Sequence, residues 1–487
     1  MPSRRAIAFV HQPPNIATVK YLLLAVIAFA ASGRGQVLPP EARIVMSHFK
    51  SDGGGGDERL YISWSNDGLN WIGLNGGNPV WQPENWAPFG NVVRDPTIVF
   101  HEGFYWVAYT SGTYGRGTKF GLVKSSDLLN WTFVTSVDAT LAGAPDQFTW
   151  SPIFFEDGDG SVHVIVAISP TNGSTFYPVP DMRVHEMHPT NAAWTQWSVP
   201  VPLQLPDTNN NDCWVWKEGT TYHAAYADFS RGGAVVHATS QDLVVGWVRD
   251  KVLGYNSQEG NIVLPIPGGG YRLYLERGNG PGGTPTTYTT ADFSADFTNP
   301  TPQTLVNSSI PIRNGKVCAV RNAVSYNQWQ ANLLAGVPAA LRTPGADADD
   351  DGLANVIEHV LTTNPIVPTA AANRPQPYAS HLADGLHPGI RFDFLRASSD
   401  VLAAAEARSG SGTWSSPAMT VESLTLVSDG TTRVHARTNA PLANQPALLR
   451  VAATQAAAAR TSKLPSSAKS SRPRSIRRLA SPWALSR

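Results

Sequence analysis

Three carboxylates stand at the heads of apolar runs: Asp95 in RDPTIVF, Asp212 in NDCWVW and Glu259 in QEGNIVL. Two further segments share the form without the acid, WSPIFF around Ser151 and RNAVSY around Asn322. Taken singly, each acid is most simply a strand or turn cap. Three in step on one repeat point instead to chemistry, because carboxylates drawn together repel and raise at least one pKa. Hydrolysis of a glycosidic bond uses such a set, one carboxylate to activate water and one protonated acid to assist the leaving oxygen. Arg94, Trp150, Trp214, Arg321 and Asn322 lie beside these positions and are the candidates for sugar contact. For Trp214, burial as a wedge between units is the competing reading, and His48, which could approach the same region, reads more simply as packed or solvated.

The elements that must position these residues are strands. Each of the five segments is followed by a turn and a second apolar strand, as in HEGFYWVAY, DGDGSVHVIV, KEGTTYHAAY and PGGGYRLYL. A second signature recurs further along: SNDGLNW at 65–71, SSDLLNW at 125–131, TSQDLVVGW at 239–247 and a weaker TTADFSADF at 289–297. Its Asp begins a tight turn and its aromatic fills the gap between neighbouring units. Gly (42), Pro (38) and Trp (15) are plentiful, and helical periodicity is nearly absent before residue 330. The expected fold is all-β, a five-bladed β-propeller with a second, smaller C-terminal β-sandwich-like domain. In a propeller the innermost strands run the same way along the axis, so the residues at their starts converge on one end of the channel. That strand is an edge, which explains how Pro96 and Pro152 are tolerated. The last blade is expected to be split, with RNAVSYN near residue 322 innermost and RIVMSHF and RLYISWS from the start of the chain outside it.

With SHFK, LYISWSNDGLNW, VVRDPTIV, NDCWVW and QEGNIVL in order over residues 38–327, the chain resembles glycoside hydrolase family 43. That family comprises five-bladed propellers including α-L-arabinofuranosidases and β-xylosidases. The resemblance implies Asp95 as general base, Glu259 as general acid and Asp212 as the residue that orients the acid and tunes its pKa. It further implies single displacement with inversion, the two working carboxyls roughly 6.5–9.5 Å apart, and no cofactor for catalysis. Two positions depart from the family pattern. Trp150-Ser151-Pro152-Ile153 stands where Trp-Ala-Pro-Glu is common, and Arg321-Asn322-Ala323-Val324 where Arg-His-Gly-Thr is common. The expected activity is cleavage of arabinose- or xylose-containing plant cell-wall polysaccharides or oligosaccharides. A non-catalytic carbohydrate-binding propeller, or an enzyme for another sugar such as a galactosidase or fructan hydrolase, are the alternatives.

Beyond residue 327 the segment DADDDGLANVIE places Asp347, Asp349, Asp351, Gly352, Asn355 and Glu358 in the spacing D-x-D-x-D-G-x5-E, with Leu353 able to lend its carbonyl. Alternate oxygens wrapped around a sharp Gly bend suit a hard cation, so Ca2+ is expected at 347–358; an acidic solvated loop is the alternative. The segment resembles dockerin and thrombospondin type 3 calcium loops. Residues 1–35 have the basic start, apolar run and small residues of a signal peptide, giving a secreted or periplasmic protein with no membrane contact once mature. The expected layout continues with the propeller at 38–327, a linker carrying the calcium loop and a short helix at 328–379, the small β domain at 380–455 and a basic disordered tail at 456–487. Thirty-seven basic residues balance 37 acidic ones, which argues against nucleic acid as a partner, and a monomer is expected. Two cysteines, Cys213 and Cys318, define no disulfide framework.

Overall fold

The computed structural model describes residues 38–455 except 40–41, 51–56, 88–90, 113–116, 145–146, 171–180, 255–258, 268, 277–285, 306–311, 321–325, 362, 395–400, 410–418, 429 and 442–446. The expected signal peptide and basic tail therefore lie outside the described residues, as do Arg321 and Asn322. The chain is all-β, built largely from four-stranded antiparallel sheets in a propeller-like array.

Among the described residues, the sheets of residues 44–319 begin with the strands Arg94–His101, Phe148–Glu156, Asn210–Glu218 and Glu259–Pro265, each followed outward by three more strands in chain order. A further sheet starts with Ile312–Ala319 and continues outward through Ile44–Lys50, Tyr61–Ser65 and Asn70–Gly73, so both ends of this region share one sheet. Each first strand lies against the next, and the series closes where Ile312–Ala319 meets both Glu259–Pro265 and Arg94–His101. The apolar core is divided into wedges between successive sheets. Val107, Val123 and Cys318 share one, Trp106, Phe154 and Val166 a second, and Phe155, Val215 and Tyr226 a third.

The recurring aspartates act as the sequence suggests. Asp67 Oδ1 accepts from the backbone N–H groups of Leu69 and Asn70, both at 2.8 Å, and Asp127 and Asp242 repeat the turn. Trp71 and Trp247 are buried beside these turns. In the second sheet a wider turn takes this place, in which Asn191 Oδ1 accepts from the N–H groups of Thr195 and Gln196, four and five residues on.

The innermost strand of the shared sheet differs from expectation. It is Ile312–Ala319, IRNGKVCA, rather than a strand near residue 322. Two Arg-Asn dipeptides, 313–314 and 321–322, compete for this place. The first is followed by a run that pairs with Ile44–Lys50, whereas the second runs into the helix Tyr326–Leu333.

After that helix and a second one, Asn355–Leu361, two further sheets follow. One is formed by Gln376–Leu382, Gly385–Phe394, Thr432–Thr438 and Met419–Leu426, the other by Val401–Ser409 and Ala447–Gln455. Ile390, Phe392, Val434, Ala436 and Val451 form the core between them. This module rests on the ends of the first strands remote from Asp95. Ser428 N donates to Pro265 O at 2.9 Å, Gly219 N to Ser423 Oγ at 3.0 Å, and Arg433 Nη2 to Ile266 O at 3.2 Å. No helix among the described residues is long and apolar enough to cross a membrane. Cys213 and Cys318 are buried free thiols.

Candidate active site

Every first strand breaks its ladder at the same point. Pairing skips from Arg94 to Thr97, Trp150 to Ile153, Asn211 to Trp214, Glu259 to Ile262 and Arg313 to Lys316. Within each bulge one residue takes a left-handed backbone: Asp95 (φ 45°), Ser151 (47°), Asp212 (49°), Gly260 (68°) and Asn314 (41°). A non-glycine residue at positive φ is uncommon, and four in register show a constraint imposed by the fold. These bulges fix the phase of the site. Asp95 and Asp212 occupy equivalent positions, while Glu259 lies one residue earlier, in the register of Arg94, Trp150, Asn211 and Arg313. The sequence comparison, which aligned Glu259 with the two aspartates, was one residue out of step there.

The three acids nevertheless share one environment. Asp95 is buried, and its carboxylate accepts from Thr110 Oγ1 at 3.0 Å and from Asn314 Nδ2 at 2.6 Å. Thr110 Oγ1 also accepts from Ser151 N at 2.8 Å, tying the first sheet to the second. Asp212 is buried, with Oδ2 facing Gly260 N at 3.4 Å and Oδ1 lacking a partner. Burial raises its pKa, and Asp95 adds to that while Lys316 opposes it. Glu259 keeps 23% of its side chain exposed and pairs with Arg313 Nη2 at 3.2 Å. Its carboxyl is pushed up to about 7, first by desolvation and then by Asp212, with Arg313 pulling the other way.

Four residues missed in the sequence complete the arrangement. Arg313 also pairs with Glu276, the cross-strand partner of Glu259, and Glu276 accepts from Asn314 N at 2.8 Å. Lys316 is fully buried (0% exposed), and its amine has no hydrogen-bond partner. The charges acting on it are Asp212, Asp95 and Glu259, whereas burial lowers its pKa. The available signal was Arg313-Asn314, which matches Arg94-Asp95 in form. Arg94 holds Glu58 at 3.0 Å and lies over the ring of Phe49.

Trp150 is half-buried in the register of Glu259 and packs edge-on against Phe148. Trp214 is not at this end of the strand. It lies beyond the bulge, is buried, and its indole N–H donates to Val263 O at 3.0 Å, so it is a wedge between the third and fourth sheets and not a sugar contact. Ile153 is fully buried among the same apolar residues. His48, on the second strand of the shared sheet, bonds Ser63 Oγ at 2.8 Å and stacks on Tyr61; burial lowers its pKa to about 3. Arg321 and Asn322 lie outside the described residues, and the places foreseen for them on the innermost strand are held by Arg313 and Asn314.

At 347–358 the oxygens of Asp347, Asp349 and Asp351 lie within 4.8 Å of one another. Both carboxylate oxygens of Asp349 and Oε2 of Glu358 are buried without partners, and Asn355 Oδ1 is likewise unpaired, although its Nδ2 is held by the carbonyls of Leu341 and Thr343. Gly352 makes the bend at φ 90°. Three converging aspartates, with both oxygens of Asp349 unpaired, fit a hard dication, while Asp351 also pairs with Arg374 Nη2 at 3.1 Å. Leu353 donates its N–H to Asp351 at 2.8 Å, which leaves its carbonyl unused by that contact.

The closed series of antiparallel sheets thus gathers Asp95, Asp212 and Glu259 at one end, where their charges act on one another and burial raises the pKa of Glu259. A family model described as a probable glycosyl hydrolase domain, related to glycosyl hydrolase family 43, matches residues 40–323, and the chain belongs to this family. Similar solved structures include an α-L-arabinofuranosidase from Clostridium thermocellum (14% identity, 58% of this chain and 98% of that one, TM-score 0.41). Others are a putative exo-β-1,3-galactanase from Bifidobacterium bifidum (13%, 56% and 91%, 0.41) and an endo-arabinase from Bacteroides thetaiotaomicron (13%, 55% and 100%, 0.40). No curated protein matches the chain.

Proposed function

We propose that the protein is a secreted glycoside hydrolase that cleaves arabinose- or xylose-containing plant cell-wall polysaccharides or oligosaccharides with inversion. On this reading the five sheets of residues 38–327 are the blades of a catalytic propeller, residues 328–379 a linker, 380–455 a β-sandwich-like module, and 1–35 a signal peptide. Asp95 removes the proton of the attacking water while Glu259 protonates the departing glycosidic oxygen. Asp212 raises the proton affinity of Glu259 by like-charge repulsion. The observation that carries this reading is the division of labour between carboxyls: Asp95 is anchored by two donors, Thr110 and Asn314, while Glu259 is partly exposed and held near pH 7. Glu276 is a positioning residue, its carboxylate engaged by Arg313 and Asn314. Arg94 and Trp150 are read as sugar contacts. Calcium at 347–358 serves the linker and takes no part in catalysis.

The test is turnover of aryl α-L-arabinofuranoside and aryl β-xyloside, with an aryl galactoside as a third arm. Asp95→Ala and Glu259→Ala are each expected to lose on the order of 10²–10⁴ in kcat/KM. The first product seen by proton NMR should carry the inverted anomeric configuration. Retention, or unchanged rates in both variants, would overturn the assigned roles.

A further inference from the structure

We propose that His163, Glu186 and His188 form a binding site for one transition-metal dication of the zinc type, on the second sheet and at the end remote from Asp95. The site follows from strand register. Val162–Ser169 and Arg183–Met187 pair antiparallel with Val164 opposite Met187 and Ile165 opposite Glu186. Extending the ladder by one residue sets His163 opposite His188, at the spacing of a cross-strand pair. Glu186 and His188, two residues apart, share a face, while His185 between them and Arg183 turns its ring back to Arg183 O. A sheet face thus presents two imidazoles and a carboxylate as a triangle.

The donor atoms are already turned inward. Glu186 Oε1 lies 2.7 Å from Nδ1 of His163 and 2.8 Å from Nδ1 of His188, and all three atoms fall within 4.8 Å of one another. Without metal, both rings donate N–H to one shared oxygen. With metal, each neutral ring carries its one proton on Nε2 instead of Nδ1, and the same three atoms turn to the ion, at about 2.0–2.2 Å from it. In a tetrahedral site that change widens the 2.7 and 2.8 Å nitrogen–oxygen separations to about 3.3 Å. His188, 47% exposed, has the freedom to make it, while Glu186 is 6% exposed and fixed.

The far nitrogen of His163 has the partner a ligand imidazole needs. Nε2 meets Ser161 Oγ at 3.0 Å, and Ser161 is itself held through its N–H by Asp159 Oδ1 at 2.8 Å. A hydroxyl that accepts from Nε2–H leaves the Nδ1 lone pair for the metal. The cluster borders a surface depression of about 510 Å³ that is also lined by His101, His163 and His188, so a fourth position is open to water or an external ligand. Two nitrogens and one oxygen select zinc, cobalt or nickel over calcium, which takes six to eight oxygens.

The test uses the full-length, tag-free protein stripped with chelator and then held in excess calcium to fill the 347–358 loop. Titration with Co2+ should give the strong visible absorption of a tetrahedral site, saturating at one equivalent and erased by Zn2+. His188→Ala, an exposed position that leaves the sheet intact, should abolish the band. His163→Ala should do the same, with its melting temperature confirming the fold, whereas Asp349→Ala should keep the band. Absence of the band in the parent protein, or an undiminished band in His188→Ala, would overturn the proposal.

Discussion

Lys316 carries a fully buried amine with no hydrogen-bond acceptor, and the charges around it are Asp212, Asp95 and Glu259. A buried cation is costly unless opposite charge compensates it. Here the compensation is mutual, because the amine also limits the repulsion among the acids. Lys316→Met keeps the length and removes the charge. The acidic limb of kcat/KM against pH, set by whichever carboxyl must be ionised, should then move up by about one pH unit; an unmoved limb would show that the amine is too far away to act. Glu259 permits a test that needs no substrate. Its folded pKa is raised from 4.5 to about 7, so its contribution to stability is intact below 4.5 and is lost as pH rises through 7. Glu259→Gln cannot ionise and escapes that loss. Urea melts should find the variant and the parent similar at pH 4.5, and the variant more stable by roughly 1–3 kcal/mol at pH 8, with activity gone. A difference that does not change with pH would remove the case for a protonated Glu259.

The first strands show what a sequence can and cannot disclose at the scale of one element. The charged head, the proline and the apolar run were visible in RDPTIVF, and the head and run again in NDCWVW, so both aspartates were read at the start of a strand, which is where Asp95 and Asp212 stand. The bulge was not visible, because it is a backbone event that different side chains can occupy: Asp, Ser, Asp, Gly and Asn adopt the same positive φ. Pattern matching therefore set Glu259 level with the aspartates, and the left-handed Gly260 beside it was the overlooked cue. Trp214 was misplaced for a related reason, since the bulge resets which residues beyond it face the neighbouring sheet. Arg313 and Lys316 went unnoticed because a second Arg-Asn dipeptide eight residues on made an equally good match. The acidic spacing of the 347–358 loop is local, so it could be read without any tertiary contact. If its orphaned oxygens hold calcium, the ion stabilises the folded state by mass action. At free calcium 100-fold above Kd this is about 2.7 kcal/mol. Calcium should raise the parent melting temperature by several degrees and leave Asp349→Ala unmoved; equal responses would place the ion elsewhere.

Across the whole molecule, the C-terminal module closes the end of the array opposite the acids. Leu426 packs against the cluster that contains Trp214, Trp216 and Ile262, and backbone groups of Pro265, Ile266 and Gly219 bond to the module. The first strands therefore end against protein at one side and present their bulges at the other. Gly430 marks how close the approach is. Its φ is 84°, and a Cβ added there would strike the backbone carbonyl of Arg43, just ahead of the strand Ile44–Lys50. Gly103, in the turn after Arg94–His101, has the same φ of 84° and open space around it. Gly430→Ala and Gly103→Ala thus share the backbone penalty, about 1 kcal/mol each, and differ only in the contact with Arg43. If the module is seated on the array in solution, Gly430→Ala should be destabilised by more than Gly103→Ala. It should also be cut faster by protease between residues 328 and 379, because undocking strips the linker of its support. Hydrolysis by surviving molecules should continue, since the acids lie at the other end. Equal losses in the two variants would mean that the two parts are joined by the chain alone.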